Sequence, residues 1–189
     1  MKKIAFSVLV GITLVATSFP AQVGTASASA AGLCHPSLKQ VKADDESDRP
    51  AKRADAVPGL VVKYIPKGFI YGDANTQRFK KAWEYGYLWA DDRDDVDRKH
   101  RSLWVRVVCW SGAKTLKDLK KLPVDIGRFT GAKATTIAGR EVLTREGDGA
   151  LGHGRLVGWV EKSGVVVTVM ASKPLVKQLD KIVGGVTAR

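Results

Sequence analysis

The chain has 189 residues, a length that suits one domain with its own core. Its formal net charge of +12 is unevenly distributed, since residues 98–189 carry +11 and residues 31–97 carry −1. We expect the basic half to meet an anionic cell-wall polymer or lipid headgroups, unless the charge serves only solubility. The pattern indicates no specific nucleic-acid partner and no cofactor, and we expect a monomer.

The N-terminus carries the pattern of a secretory signal. Lys2 and Lys3 precede an uncharged apolar run over residues 4–16, and small residues at 26–30 suit a signal peptidase. We therefore predict that residues 1–30 are a signal peptide and that the mature protein is secreted into the extracellular space. The apolar run is shorter than the roughly 20 residues of a membrane span, and no later stretch is apolar enough for a transmembrane anchor.

Two cysteines, Cys34 and Cys109, remain in the exported chain. An oxidising compartment favours a disulfide between them, which would tie the N-terminal tail to the sheet. The alternative is a reactive thiol, which needs a nearby base and surroundings that favour the thiolate.

The predicted elements begin after a polar N-terminal stretch. Residues 40–58 are too charged to order themselves, so we predict that residues 31–58 are a flexible linker tied by Cys34 and that residues 59–189 form a single domain. Helical spacing predicts helices over residues 115–122 and from Ser172 to Gly184-Gly185. Alternation predicts strands over residues 61–65, 69–71, 81–90, 102–110, 137–145, 155–161 and 165–171. The predicted class is α+β, an antiparallel sheet packed against a C-terminal helix.

Four rings alternate along the strand at 81–90, so that Trp83, Tyr85, Tyr87 and Trp89 share one face. A hairpin centred on Val96 sets these rings opposite Cys109, Val107, Val105 and Leu103. In this register the rings form a wall of the core.

A slip of one residue would have a different consequence. It would set the rings beside Trp104, Arg106 and Trp110 and create a platform on which a ligand could stack. The core arrangement is favoured, because four wet rings would be an unusually large apolar patch. We retain Trp104, Arg106 and Trp110 as candidate ligand contacts at the margin of the sheet.

The predicted hairpin tip is acidic. Asp92, Asp94, Asp95 and Asp97 are a weak candidate for calcium, but the glycine and distal glutamate of an EF-hand loop are missing. The neighbouring arginines and lysines favour a solvated tip with internal ion pairs, and we predict no metal site.

A glycine-rich loop follows the strand at 137–145. Residues 147–152 match the letters of a dinucleotide fingerprint, but the chain then enters a strand instead of a helix, so the match is judged accidental. His153 in this loop and Arg155 beyond it are candidate ligand contacts. A general base at His153 lacks a nucleophile and an orienting group, so we predict no catalytic residue.

Three short motifs carry a resemblance. The stretch Tyr64–Phe69 (Y-x-P-x-G-F), the stretch Ile137–Glu141 (I-x-G-x-E) and the hairpin Trp159–Gly164 resemble secreted actinobacterial domains of unknown function, over about residues 60–186. The hairpin departs from the W-x-E-x-G form by one inserted residue. The resemblance implies a compact exported α+β domain and carries over no catalytic residue.

The sequence therefore favours a secreted, non-catalytic binding or structural module whose basic surface acts at the cell envelope. The alternative is a secreted hydrolase that uses the loop around His153.

Overall fold

The computed structural model describes residues 32–36, 47–147 and 154–189. The predicted signal peptide, part of the predicted linker and His153 lie outside these ranges. In chain order the strands are β1 (Leu60–Val62), β2 (Tyr71–Arg78), β3 (Trp83–Ala90), β4 (Ser102–Cys109), β5 (Lys133–Ile137), β6 (Arg140–Glu146), β7 (Arg155–Lys162), β8 (Val165–Ala171) and β9 (Val186–Ala188). The helical segments that position the sites are the 3-10 helices Leu116–Lys121 and Lys173–Gln178 and the helix α1 (Leu179–Gly185).

Seven strands form one antiparallel sheet in the order β2-β3-β4-β8-β7-β6-β5, and β1 pairs with β9 in a small separate ladder. The antiparallel sheet and the C-terminal helix agree with the predicted class. Leu175, Leu179, Ile182 and Val183 of the C-terminal helical segment are buried in the core, on the side of the sheet that we call the inner face.

The aromatic strand has the register of the core arrangement. Trp83 lies opposite Cys109 and Trp89 opposite Leu103, so the alternative register, slipped by one residue, is wrong. Tyr85, Tyr87 and Trp89 are at most 1% exposed on the inner face. Because each such ring buries on the order of 150–250 Å², these rings supply much of the apolar contact area of the core.

Residues 47–58, predicted to be a flexible linker, are packed against the inner face. Val57 is fully buried, and Asp48 forms a bridge with Gly72 of β2. The Tyr87 hydroxyl accepts a hydrogen bond from the Lys52 N–H (2.9 Å) and donates one to the Asp48 carboxylate (2.7 Å). The prediction of a flexible linker was wrong for these residues. Their polar composition does not show that the backbone and Asp48 supply the hydrogen-bond partners that buried hydroxyls require.

The beginning of the described chain is held in a similar way. Tyr85 donates a hydrogen bond to the carbonyl oxygen of Leu33 at 2.6 Å, and the Leu33 side chain is fully buried. The predicted disulfide between Cys34 and Cys109 is formed. This bridge is consistent with an extracellular or other oxidising environment.

Three local predictions were wrong. Strand β2 was missed beyond Tyr71, because its polar sequence lacks the usual apolar alternation. The strand predicted over 137–145 is interrupted by a turn at Ala138 (φ 51°) and Gly139 (φ 76°), which separates β5 from β6. The Ser172 side chain does not cap the helix but accepts a hydrogen bond from the Ser102 N–H.

The disulfide generates a first prediction. Its sequence separation is 75 residues, so replacing both cysteines with serine should lower the free energy of unfolding by about 4 kcal/mol in the chain-entropy treatment. Urea unfolding of the variant and the parent, followed by tryptophan fluorescence, measures the difference. Equal midpoints would show that the N-terminal tail is held without the bridge.

Candidate binding site

The other face of the sheet, the outer face, is only partly covered. Residues 113–132, which we call the cover segment, cross it and include the 3-10 helix Leu116–Lys121. The cover segment buries Leu119, Leu122, Val124 and Phe129 against a second cluster that contains Val108, Leu143, Leu156, Val166 and Met170. The outer face therefore has its own small core beneath the cover segment, and parts of the face on either side of that segment are not covered.

A buried ion pair lies beneath the cover segment. Arg106 is fully buried, and its Nη1 is 2.9 Å from Oε2 of Glu84, which is 2% exposed. The guanidinium also donates to the Thr168 hydroxyl (3.0 Å) and to the carbonyl oxygen of Ile126 in the cover segment (3.1 Å). Burial raises the pKa of Glu84, and the adjacent guanidinium opposes that shift. A charge taken out of water needs such partners, so the pair fixes the position of the backbone above it.

Two glycines allow the cover segment to come this close. Gly127 has φ +72°, and a Cβ there would lie 2.7 Å from the Arg106 guanidinium. A Cβ at Gly158 of β7 would lie 2.3 Å from the ring of Phe129. Larger residues would push the segment off the sheet at both contacts.

The predicted ligand contacts do not form one platform. Arg106 is buried and contacts no solvent, which corrects its assignment to a binding surface. Its guanidinium stacks on the half-buried Trp104, 4.6 Å from the ring centroid, and the indole N–H donates to Asn75. Trp110 lies beyond the other end of β4 and packs over Gly112. Arg155 pairs with Ala171 in the sheet register and therefore lies on the inner-face side.

An aromatic cavity of about 650 Å³ lies on the outer face between the hairpin tip and the cover segment. Its floor is apolar and includes Leu88, Ala90, Trp104 and Met170. One end is formed by β2 and the tip, and the cover segment contributes residues 125–128 as the facing wall. Its volume is in the range of small-molecule sites. The residues that line this end are Tyr71, Asp73, Arg93, Asp95 and His100.

A second concave region, the lysine groove, lies on the other side of residues 125–128. It has a volume of about 500 Å³ and an apolar floor that includes Phe79, Leu122 and Val124. Its exposed cationic side chains are Lys80, Lys81, Lys120, Lys121 and Arg128. Within residues 32–36, 47–147 and 154–189 the four lysines form no ion pair, and Arg128 pairs with Asp125 at 3.6 Å.

The carboxylates of the acidic hairpin tip accept hydrogen bonds from backbone N–H groups of the tip itself. Asp94 accepts a hydrogen bond from the Val96 N–H and Asp97 accepts one from the Lys99 N–H. Burial acts to raise the pKa of Asp91, but N–H donors and the Arg93 guanidinium outweigh it and hold that pKa below its usual value. The described part of the chain contains no group of three or more histidine, cysteine or acidic side chains that could hold a metal ion, so the calcium candidate residues are not arranged as a site.

His153 lies outside the described residues, so the hydrolase alternative stays a prediction. No protein-family model, no curated protein and no solved structure matches the chain. None of the helices in the described ranges is both long enough and apolar enough to cross a bilayer.

The buried pair generates a second prediction. Arg106→Leu or Glu84→Leu alone should destabilise the fold by about 3–5 kcal/mol, because each leaves a buried charge without its partner. The double variant should lose much less than the sum, because neither charge remains. Urea unfolding of all four proteins completes the cycle, and additive losses would contradict direct coupling of the two side chains.

Proposed function

We propose that the protein is an exported, non-catalytic binding module and that the lysine groove holds an anionic polymer of the cell envelope. The observation that carries this proposal is the convergence on one groove of four exposed lysines, none of which forms an ion pair in the described ranges. A phosphate-bearing chain is the ligand that such a surface suits.

The composition of the groove supports a polymer as the ligand. Lys80 and Lys81 come from the turn between β2 and β3, whereas Lys120 and Lys121 end the 3-10 helix of the cover segment. Charges on two separate elements line both sides of a groove with an apolar floor. Successive phosphates of a chain would meet both pairs of lysines, whereas a single small anion would meet one.

The rest of the chain favours action outside the cell. The N-terminal pattern is that of a secretory signal, and the disulfide suits an oxidising compartment. Binding that depends on ion release should weaken steeply with salt.

The test replaces Lys80, Lys81, Lys120 and Lys121 with glutamine. Affinity for a purified poly(glycerol phosphate) chain at low salt should fall roughly tenfold or more, since each lysine near an anionic surface contributes up to about 1 kcal/mol. The parent should lose affinity as salt rises, and the variant should show a flatter dependence. Calorimetric titration across a salt series measures both.

A matched control separates the groove from overall charge. Lys99, Lys133, Lys173 and Lys177 are exposed, lie outside the groove and form no ion pair in the described chain. Their replacement with glutamine removes the same charge and should change affinity by less than about threefold. Equal losses in the two variants, or adsorption that ignores salt, would refute the groove as the binding site. Vesicles of anionic phospholipid serve as a second probe and distinguish headgroups from polymer.

A further inference from the structure

From the charges and rings at one end of the aromatic cavity, we infer a second binding site, for an amphipathic organic cation whose ammonium group lies between Asp73 and Asp95. Its apolar body would lie on the floor formed by Leu88, Trp104 and Met170. The site is separate from the lysine groove, and its ligand has the opposite charge.

The apolar part of the site is a consequence of the sheet register. Tyr71 lies opposite Ala90 and Asp73 opposite Leu88, so these side chains of β2 and β3 share the outer face. Trp104 of β4 lies opposite Leu88 of β3 on one side and opposite Met170 of β8 on the other. An uninterrupted apolar floor therefore crosses three neighbouring strands from the acidic end. A cavity of about 650 Å³ accommodates a small organic molecule over such a floor.

The two carboxylates at the acidic end have no ion-pair partner in the described ranges, although Arg93 and His100, which both contact Asp91, line the same end. The cations near it are already engaged, because Arg93 pairs with Asp91 and Arg128 with Asp125. Arg145, at the far end on β6, has an interaction of its own. Asp73 accepts a hydrogen bond from the Ser47 hydroxyl, and neither Asp73 nor Asp95 forms an ion pair within the described ranges.

Besides burial, the carboxylates at this end also raise the pKa of Tyr71. Burial raises the pKa of Tyr71, and the carboxylates of Asp73, Asp91 and Asp95 raise it further. The phenol therefore stays neutral and its ring faces a negative environment. Carboxylates beside aromatic faces are the groups that favour an ammonium ion over a neutral or anionic group of the same size.

The acidic end also contrasts with the whole molecule. The chain as a whole has a net charge of +12, so the two carboxylates of the cavity make this end locally more favourable for a cation than the rest of the surface. A hydrophobic anion would instead be drawn to the lysine groove.

Three matched probes test the site: 4-phenylbutylamine, 4-phenylbutanol and 4-phenylbutyrate, which share the apolar body and differ in the charge of the head. The amine should bind at least about fivefold more tightly than the alcohol, and the butyrate more weakly still. Two-dimensional NMR of the full mature protein should place the shifts at the Trp104 indole N–H and around Met170. Equal binding of the three probes, shifts confined to other regions or no binding of the amine at millimolar concentration would overturn the inference.

A pair of variants locates the recognition of the charge. Asp73→Asn with Asp95→Asn should reduce the affinity of the amine to that of the alcohol, without changing alcohol binding. The control, Asp55→Asn with Asp180→Asn, changes net charge equally at exposed positions outside the cavity and should leave amine affinity within about twofold. Equal effects of the two double variants would show that only the overall charge matters and would refute the site. Because neither pair includes a lysine of the groove, the result is independent of polymer binding.

Discussion

Arg106 lies in the middle of β4, an interior strand of the sheet, with no access to water, and much of the outer face is arranged to satisfy it. A guanidinium in this position would cost several kcal/mol without partners. Glu84 supplies the opposite charge from β3, Thr168 supplies an oxygen from β8, and the Ile126 carbonyl supplies a third acceptor from above. The last contact joins the sheet to the cover segment. Residues 125–128 are therefore held as a ridge, with the aromatic cavity on one side and the lysine groove on the other.

The inner face forms the main hydrophobic core. Its rings are buried against the C-terminal helical segment, the ladder of β1 and β9 and the N-terminal tail, and their polar atoms find partners in that tail. The disulfide adds a covalent link between the same tail and the end of β4. The chain itself covers most of the inner face, and the two proposed sites lie on the outer face and its margins. The concentration of unpaired lysines on one side of the ridge and of unpaired carboxylates on the other fits this division.

The inner face could be predicted from the sequence to the level of the individual pair. Alternating rings in one strand and alternating apolar residues in the next exclude a slip of one residue, and centring the hairpin on Val96 gives the register that the structure has. Strand β2 could not be predicted in the same way, since its side chains are mostly polar and form hydrogen bonds, as Asn75 does with Trp104, instead of alternating apolar contacts. The turn at Ala138 and Gly139 was missed because alternation continues through it.

The outer face was harder to predict, because its sites depend on contacts between distant segments. Arg106 was assigned to a surface, although a single charge within the apolar strand Ser102–Cys109 is a signal of a buried pair. The predicted register already placed Gly86 directly opposite Arg106 and Glu84 diagonally across from Arg106 on the same face of the sheet. The missing side chain of Gly86 leaves room for the arginine side chain. The lysine groove could not be predicted from the sequence around either pair of lysines. Lys80-Lys81 and Lys120-Lys121 are ordinary exposed residues in the sequence, and only the packing of the cover segment brings them together.

Hydrogen exchange in the Glu84→Leu, Arg106→Leu double variant tests most directly whether the buried pair positions the ridge. The pair is replaced by apolar side chains, so the sheet should remain folded, and the amides of Tyr87 and Val107 on the inner-face side should keep the protection that they have in the parent. The amides of Val124 and Ala132, which donate to the carbonyl oxygens of Leu122 and Phe129 on either side of Ile126, should exchange roughly tenfold faster or more, because the Ile126 carbonyl has lost its donor. Unchanged protection at Val124 and Ala132 would contradict the account, since it would show that apolar contacts alone hold the cover segment on the sheet.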